Sequence, residues 1–350
     1  VPFVYAVRGD LVESVHAVAA CASDVAGGTV LACGDVEVPI FLRSTAKPFI
    51  AAELVRDGTA ARFGLEPAEL AVIAASHGGE PFHVATVLGI LAKIGLGPEA
   101  LQCGAHAPYY EPAALALAAA GDTPTALHSN CSGKHAGILA SCVAHGEDVA
   151  TYRDASHPAQ QRILSFCARL LDESPEALPL GIDGCGIPVF ATSLRRAARA
   201  FARLGRPGDA ASALDPSDAE ALALVRDAMA AWPAYVAGTG RFDTALMEVT
   251  AGRIVGKSGA EGVHGAAARE AGLGLVLKIV DGSARAVPPA TVGLLAELGV
   301  LRSSERASLE PFERPLLRNV AGTVVGRLTA VADTIGRVAP SLGVPSLPKD

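Results

Sequence analysis

The chain has 350 residues, half of them apolar and 19% charged, enough apolar material for a sizeable core and the wrong balance for intrinsic disorder. Its formal charge of −7 argues against a nucleic-acid partner, which favours basic surfaces. No apolar run reaches the roughly 18 residues that span a bilayer, and the first thirty residues lack a basic stretch followed by an apolar one, so neither a membrane partner nor a secretory leader is expected. Seven cysteines, at 21, 33, 103, 131, 142, 167 and 185, are odd in number and widely spread. That pattern suits free or metal-bound thiols in a reducing, cytoplasmic setting better than a disulfide framework.

The start reads as a hairpin: residues 4–7, the turn Arg8-Gly9-Asp10, then near-alternating apolar residues over 12–18. Residues 30–31 and 36–40 add short strands, and a helix is predicted over 45–56, ended by Gly58. The buried run 70–75 fits strand or helix, and a helix over 84–94 follows the Gly78-Gly79 turn. Helices are predicted over 112–120, 134–145, 158–171, 189–204 and 217–232, the last opened by Asp215-Pro216-Ser217. After Thr250 the pattern turns β-like at 253–257, helical at 266–271 and β-like again at 275–280. Asp281-Gly282 signals a hairpin to 284–287; 289–298 reads as a helix and 320–328 as a last strand or extended loop.

Strands at both chain ends and helices between them indicate an α+β fold, an antiparallel sheet built from the two ends with a mainly helical middle. No Pro-, Ser- or charge-rich linker divides the chain, which predicts one catalytic domain over 1–350 with a helical subregion at about 81–235.

Ser44-Thr45-Ala46-Lys47 is the first chemical signal, because positions i and i+3 of a helix share a face. A lysine can activate a serine only when burial or a neighbouring cation lowers its pKa. The chain has 29 basic residues but only six lysines, at 47, 93, 134, 257, 278 and 349, so a lysine beside Ser, Gly or Cys invites a reason. Arginine stays protonated and cannot be a base. Lys257-Ser258-Gly259 follows a β-like run and matches the K-[ST]-G box of penicillin-recognising serine enzymes, in the order those enzymes place it after S-x-x-K. Their central S-x-N box is not cleanly present; Ser129-Asn130 and Ser76-His77 are its substitutes. Ala74-Ala75-Ser76-His77-Gly78 also has the outline of a nucleophile elbow, although the sheet is not parallel and Ser76 fits better as a second hydroxyl beside Lys257.

The densest polar stretch is His128-Ser129-Asn130-Cys131-Ser132-Gly133-Lys134-His135, and Asp183-Gly184-Cys185-Gly186 is a tight loop. Cys131 and Cys185 with a nitrogen from Lys134 or His135 offer a zinc site with one open position; chemistry alone favours His135, since imidazole is the commoner ligand. Two buried thiols behaving as small hydrophobes would give the same spacing.

Taken together, Arg43-Ser44-Thr45-Ala46-Lys47-Pro48, Ala75-Ser76-His77-Gly78-Gly79-Glu80, the 128–135 stretch, Gly181-Ile182-Asp183-Gly184-Cys185-Gly186 and Lys257-Ser258-Gly259-Ala260-Glu261-Gly262 resemble the L-asparaginase II family, the rhizobial type, over about residues 4–340. The resemblance implies hydrolysis of L-asparagine to L-aspartate and ammonia, a fold similar to serine β-lactamases and glutaminases, and a homodimer. It implies two Ser–Lys pairs, Ser44–Lys47 and Ser76–Lys257, and a zinc site on Cys131, Lys134 and Cys185 in place of His135. His135 and Asp183 then stand beside the metal or bind substrate. Arg43 and either Glu80 or Asp183 are the candidates for the substrate's carboxylate and ammonium. Zinc among these ligands is expected to shape the pocket rather than activate the nucleophile. Two other classes are compatible with the motifs: a penicillin-binding or β-lactamase-like acyl-transfer enzyme, and a non-catalytic zinc-dependent asparagine-binding protein.

Overall fold

A computed structural model describes residues 3–331; the stretch 332–340, which the resemblance also covers, and Lys349 lie outside the described residues. Strands β1 (Phe3–Arg8), β2 (Leu11–Asp24), β3 (Thr29–Cys33) and β4 (Pro39–Phe41) come first. Helices α1 (Lys47–Arg56), α2 (Thr59–Arg62), α3 (Pro67–Ile73), α4 (Pro81–Lys93), α5 (Glu111–Ala119), α6 (Ser132–His145) and α7 (Pro158–Leu170) follow. Two short strands, β5 (Leu180–Ile182) and β6 (Pro188–Ser193), precede α8 (Leu194–Gly205), α9 (Pro216–Ala231), α10 (Pro233–Val236) and α11 (Phe242–Val249). The chain then returns to strand with β7 (Ile254–Ser258), β8 (Val263–Ala268) and β9 (Leu273–Ile279). Helices α12 (Val287–Glu297), α13 (Ser303–Ser308) and α14 (Glu310–Glu313) and strands β10 (Leu316–Arg318) and β11 (Val324–Val331) complete it.

The main sheet runs β10-β11-β1-β2-β9-β8-β7 with β3 on β2, all antiparallel, so strands from both chain ends interleave as expected for an α+β fold. Period-two alternation splits its side chains between two cores. Leu275, Leu277 and Ile279 pack with α12, whereas Val276, Val263 and Ala267 face the helical body. Helix α8 lies directly on that second face: a Cβ on Gly274 would fall 2.1 Å from the Ala198 carbonyl oxygen, and one on Gly265 2.1 Å from the Phe201 ring. β7 is one edge of the sheet and packs on α11; just past its end Gly259 approaches the Leu42 carbonyl, in the turn before α1, so closely that a Cβ would sit 3.1 Å from it.

Three local expectations are corrected. Residues 266–268 are strand, not helix; every residue of β8 is buried and sheet pairing overrides the helix propensity of its alanines. Asp281-Gly282 does not open a hairpin. Pro288 and Pro289 lack the N–H groups a ladder needs, and they start α12 instead. The predicted helix at 189 begins only at Leu194, because 188–193 pair with β4 and β5 before Ser193 accepts from the Arg196 N–H as N-cap.

Candidate active site

Three chain segments converge beneath the β7 edge. The first is the short 3₁₀ turn Arg43–Ala46, with Arg43 in the left-handed region at φ 51°, which feeds Lys47 into the first turn of the almost wholly buried α1. The second is the buried loop between α3 and α4, where Ser76 N–H donates to the Val236 carbonyl and Gly79 adopts φ 73° against the His128 carbonyl. The third is Lys257 near the end of β7. Gly133 sets the fourth wall: a Cβ there would fall 2.2 Å from the Val72 carbonyl, so only glycine lets the start of α6 press Asn130 and Cys131 against this loop.

Ser76 is the hub. Its Oγ lies 3.0 Å from Lys47 Nζ and 2.9 Å from Lys257 Nζ, all three side chains being buried. The expected Ser76–Lys257 contact is thus present, while Lys47 contacts Ser76 rather than Ser44. The reason is local: Lys47 Nζ donates to the Ala75 carbonyl at 2.5 Å, reaches the Asn130 carbonyl at 3.3 Å and Cys131 Sγ at 3.2 Å, and these buried acceptors draw it off the helix face that Ser44 occupies. Ser44 is left half-buried and makes no hydrogen bond with its side chain among the described residues.

Burial lowers both lysines. Lys47 is driven down by desolvation. Lys257 falls to about 7, burial and the Lys47 charge opposing the pull of Asp243. Asp243 itself is buried yet held well below the usual carboxylate range, because His264 Nε2 (3.0 Å), Ser258 N–H (2.7 Å) and Ser258 Oγ (2.8 Å) all bond it. Neither Asp243 nor Arg241, whose Nη1 donates to the Ser76 carbonyl at 3.3 Å, was singled out from the sequence. The signal was there: Gly238-Thr239-Gly240-Arg241-Phe242-Asp243 is a glycine turn carrying opposite charges in an apolar region.

Cys131, Lys134 and Cys185 meet on the far side of Lys47. Lys134 Nζ lies 2.9 Å from Cys185 Sγ, and Cys131 Sγ lies 3.2 Å from Lys47 Nζ. Interaction between the two thiols, with the Lys47 and Lys134 charges nearby, holds the Cys131 thiol well below its usual range, while the same interaction and burial push Cys185 up. Burial disfavours the charge on Lys134, but the two sulfurs outweigh it and its pKa is raised. Two soft sulfurs and an amine in a buried cluster fit a zinc ion. His135 does not complete this set: no third His, Cys, Asp or Glu atom joins the two sulfurs within 4.8 Å among the described residues. Its Nδ1 instead pairs with the Tyr152 hydroxyl at 2.6 Å, its Nε2 has no partner, and burial keeps the ring neutral. Another trio, Cys142, Glu147 and His157, does cluster, yet Arg162 occupies Glu147 and both His157 nitrogens are hydrogen-bonded, so no imidazole lone pair is free.

Arg43 Nε donates to Asp183 Oδ1 at 2.8 Å, fixing both beside Cys185. Glu80 sits between the Ser76 loop and the Gly238-Thr239 turn: its oxygens accept from Thr239 N–H (2.8 Å) and Thr239 Oγ1 (2.6 Å), and it caps α4. No helix among the described residues is long and apolar enough to cross a membrane.

With this geometry in place, three comparisons with known proteins bear on it. A search of curated proteins finds no match. Among solved structures, one described as "Crystal Structure Analysis of Mglu in its native form" is similar at 17% identity and a TM-score of 0.43; the match covers 81% of this chain and 65% of that one, just under two thirds of its length. The sequence profile of L-asparaginase II matches residues 4–330, nearly the whole chain. The chain therefore belongs to the L-asparaginase II family, a family of amidohydrolases.

Proposed function

We propose that this protein hydrolyses the side-chain amide of L-asparagine through a serine ester, using Ser44, Lys47, Ser76 and Lys257. The observation that carries the reading is the single hydroxyl of Ser76 held between two buried lysines. A buried amine whose pKa is lowered by desolvation sheds its proton more readily and so can take one from a hydroxyl, and an amine at about 7 both holds and gives one at physiological pH. An array that takes a proton at one end and delivers one at the other is what amide cleavage requires.

Ser44 is the nucleophile in this reading, because a nucleophile needs a face open to the substrate. Ser76 is buried, and two amines already occupy its hydroxyl; Ser44 is half-buried and its hydroxyl is uncommitted. For this step Lys47, whose amine here bonds Ser76 and the Ala75 and Asn130 carbonyls, turns to Ser44, three residues away, and takes its proton as Oγ bonds to the amide carbon. The C–N bond then breaks, and the leaving nitrogen receives a proton from Ser76, which Lys257 replenishes. Water then attacks the β-aspartyl ester and gives one proton to the neutral Lys257; Lys47 returns its proton to Ser44 Oγ as the C–O bond breaks, and the last proton leaves on ammonia as ammonium beside the L-aspartate carboxylate. Asp243 fixes the start of the Lys257-Ser258-Gly259 turn through Ser258. Cys131, Lys134 and Cys185 would hold a zinc ion, which supplies a fixed positive charge beside the pocket. Arg43, Asp183, His135 and Glu80 remain our candidates for substrate contacts, with Arg43 oriented by Asp183.

The test is site mapping with the electrophilic asparagine analogue 5-diazo-4-oxo-L-norvaline, followed by peptide mass analysis and ammonia assays. The label is expected on Ser44. Ser44→Ala abolishes label and turnover, whereas Ser76→Ala keeps the label and loses about 100-fold in kcat, the usual size of a proton-transfer contribution. A label on Ser76, with near-normal turnover in Ser44→Ala, would refute the assignment.

A further inference from the structure

We propose that Arg241 is the cation that reads the substrate's α-carboxylate, and so sets the requirement for a free amino acid rather than a simple amide. The inference rests on the amidase reading and adds the group that chooses the substrate class.

Arg241 is the N-cap residue of α11, immediately after the Gly238-Thr239-Gly240 turn. One edge of its guanidinium is fixed by the hydrogen bond from Nη1 to the carbonyl oxygen of Ser76, at 3.3 Å, on the residue that both lysines bond. Its carbon lies 5.7 Å from the centre of the Tyr109 ring. Tyr109 stacks on His106 at 4.6 Å, and His106 Nε2 accepts from Asn130 N–H at 3.0 Å, which ties the stack to the wall that carries Cys131. The guanidinium is therefore oriented without being consumed.

The contrast with Arg43 decides the point. Arg43 already holds a carboxylate, Asp183, at 2.8 Å. Arg241 has no acidic partner among the described residues, and its remaining N–H donors bond no protein atom there. It is half-buried and shares the region with Lys47 and Lys257. An unpaired, oriented guanidinium in such a place is matched to an incoming anion that it can grip with two parallel hydrogen bonds. In asparagine the carboxylate carbon lies about 4 Å from the amide carbon, given two intervening tetrahedral carbons of ordinary bond length. A cation anchored on the backbone of Ser76 lies within one residue of the hydroxyl that both lysines bond.

The experiment compares L-asparagine with 3-aminopropanamide, which keeps the amide and the ammonium and lacks only the carboxylate. Wild type, Arg241→Gln and Arg241→Lys are assayed for ammonia release, and L-aspartate binding is titrated calorimetrically. Arg241→Gln is expected to lose about 100-fold in kcat/KM on asparagine, mainly through KM, the scale of a broken charge-assisted pair. It should change the value on 3-aminopropanamide by no more than about twofold, because a neutral group loses nothing from the missing clamp. L-Aspartate binding should weaken about 100-fold, and Arg241→Lys should restore part of each loss. Equal losses on both substrates, or unchanged aspartate affinity, would overturn the proposal. If the wild type released no ammonia from asparagine, the amidase reading would fail, and the aspartate titration alone would decide the role of Arg241.

Discussion

Replacing Asp243 by asparagine isolates what one buried carboxylate does for both the fold and the proton relay. Its Oδ2 accepts from Ser258 N–H at 2.7 Å, and its Oδ1 accepts from Ser258 Oγ at 2.8 Å and from His264 Nε2 at 3.0 Å. Asparagine has the same shape but only one acceptor oxygen. If that oxygen faces Ser258 Oγ and His264, the new NH₂ meets the Ser258 N–H, donor against donor. If the amide turns over, His264 must carry its proton on Nδ1, which is buried without a partner. Either way one buried donor goes unsatisfied, at about 2 kcal/mol, and the surviving bonds lose their charge assistance, for a total of about 3 kcal/mol. Urea unfolding at pH 7 reads that figure. The second effect is electrostatic: Asp243 is the charge that supports a protonated Lys257 against burial, and without it the lysine drops below its present value of about 7. A proton donor whose pKa falls is deprotonated at lower pH, so the alkaline limb of kcat against pH moves toward acid, and activity at pH 8 suffers more than activity at pH 6. Stability within about 0.5 kcal/mol of wild type, or a limb that stays in place or moves toward base, would refute the reasoning.

Two further predictions follow from packing and ligation. Gly274→Ala drives a methyl group into the Ala198 carbonyl and should cost about 3 kcal/mol, whereas Gly293→Ala in α12, whose added carbon meets only Ala330 Cβ at an ordinary 3.6 Å, should stabilise by up to about 1 kcal/mol; urea midpoints of both variants check the sign reversal. Zinc added to metal-free protein should bind at one site per chain and release protons chiefly from Cys185 and Lys134, whose pKa values are raised, and less from Cys131, whose thiol is held low. Calorimetry in buffers of different ionisation enthalpy reads the proton count, affinity should rise with pH, and Cys185→Ala should remove the binding.

The sequence made the class of fold legible because period-two strands stand at both ends and 3.6-period helices between them, and the two observed cores preserve that division. It failed where a rule of local propensity met a tertiary demand. The alanines of β8 favour a helix in isolation, but sandwiched between α8 and α12 they serve as a strand too thin to hold the two layers apart. At the site, the motifs brought forward the serines, lysines and cysteines, since each is a chemically unusual residue in its setting. The partner of Lys47 was not legible: the i, i+3 rule places Ser44 on the same helix face, but it knows nothing of the carbonyls of Ala75 and Asn130 that pull the amine inward. Arg241 and Asp243 were missed for a related reason. Their roles depend on Ser76, Ser258 and His264, and only the folded chain brings Arg241 to Ser76.

The turn that presents Ser44 also lies at the end of an outermost strand, where Gly259 of the lysine motif nearly touches the Leu42 carbonyl. An uncovered strand of this kind is a template for association with other chains. Residues 42–46 pack at the end of that strand, which lies beside α11, as well as serving chemistry. Damage to this stretch would be felt as poor solubility together with lost turnover, and the two symptoms would share one origin.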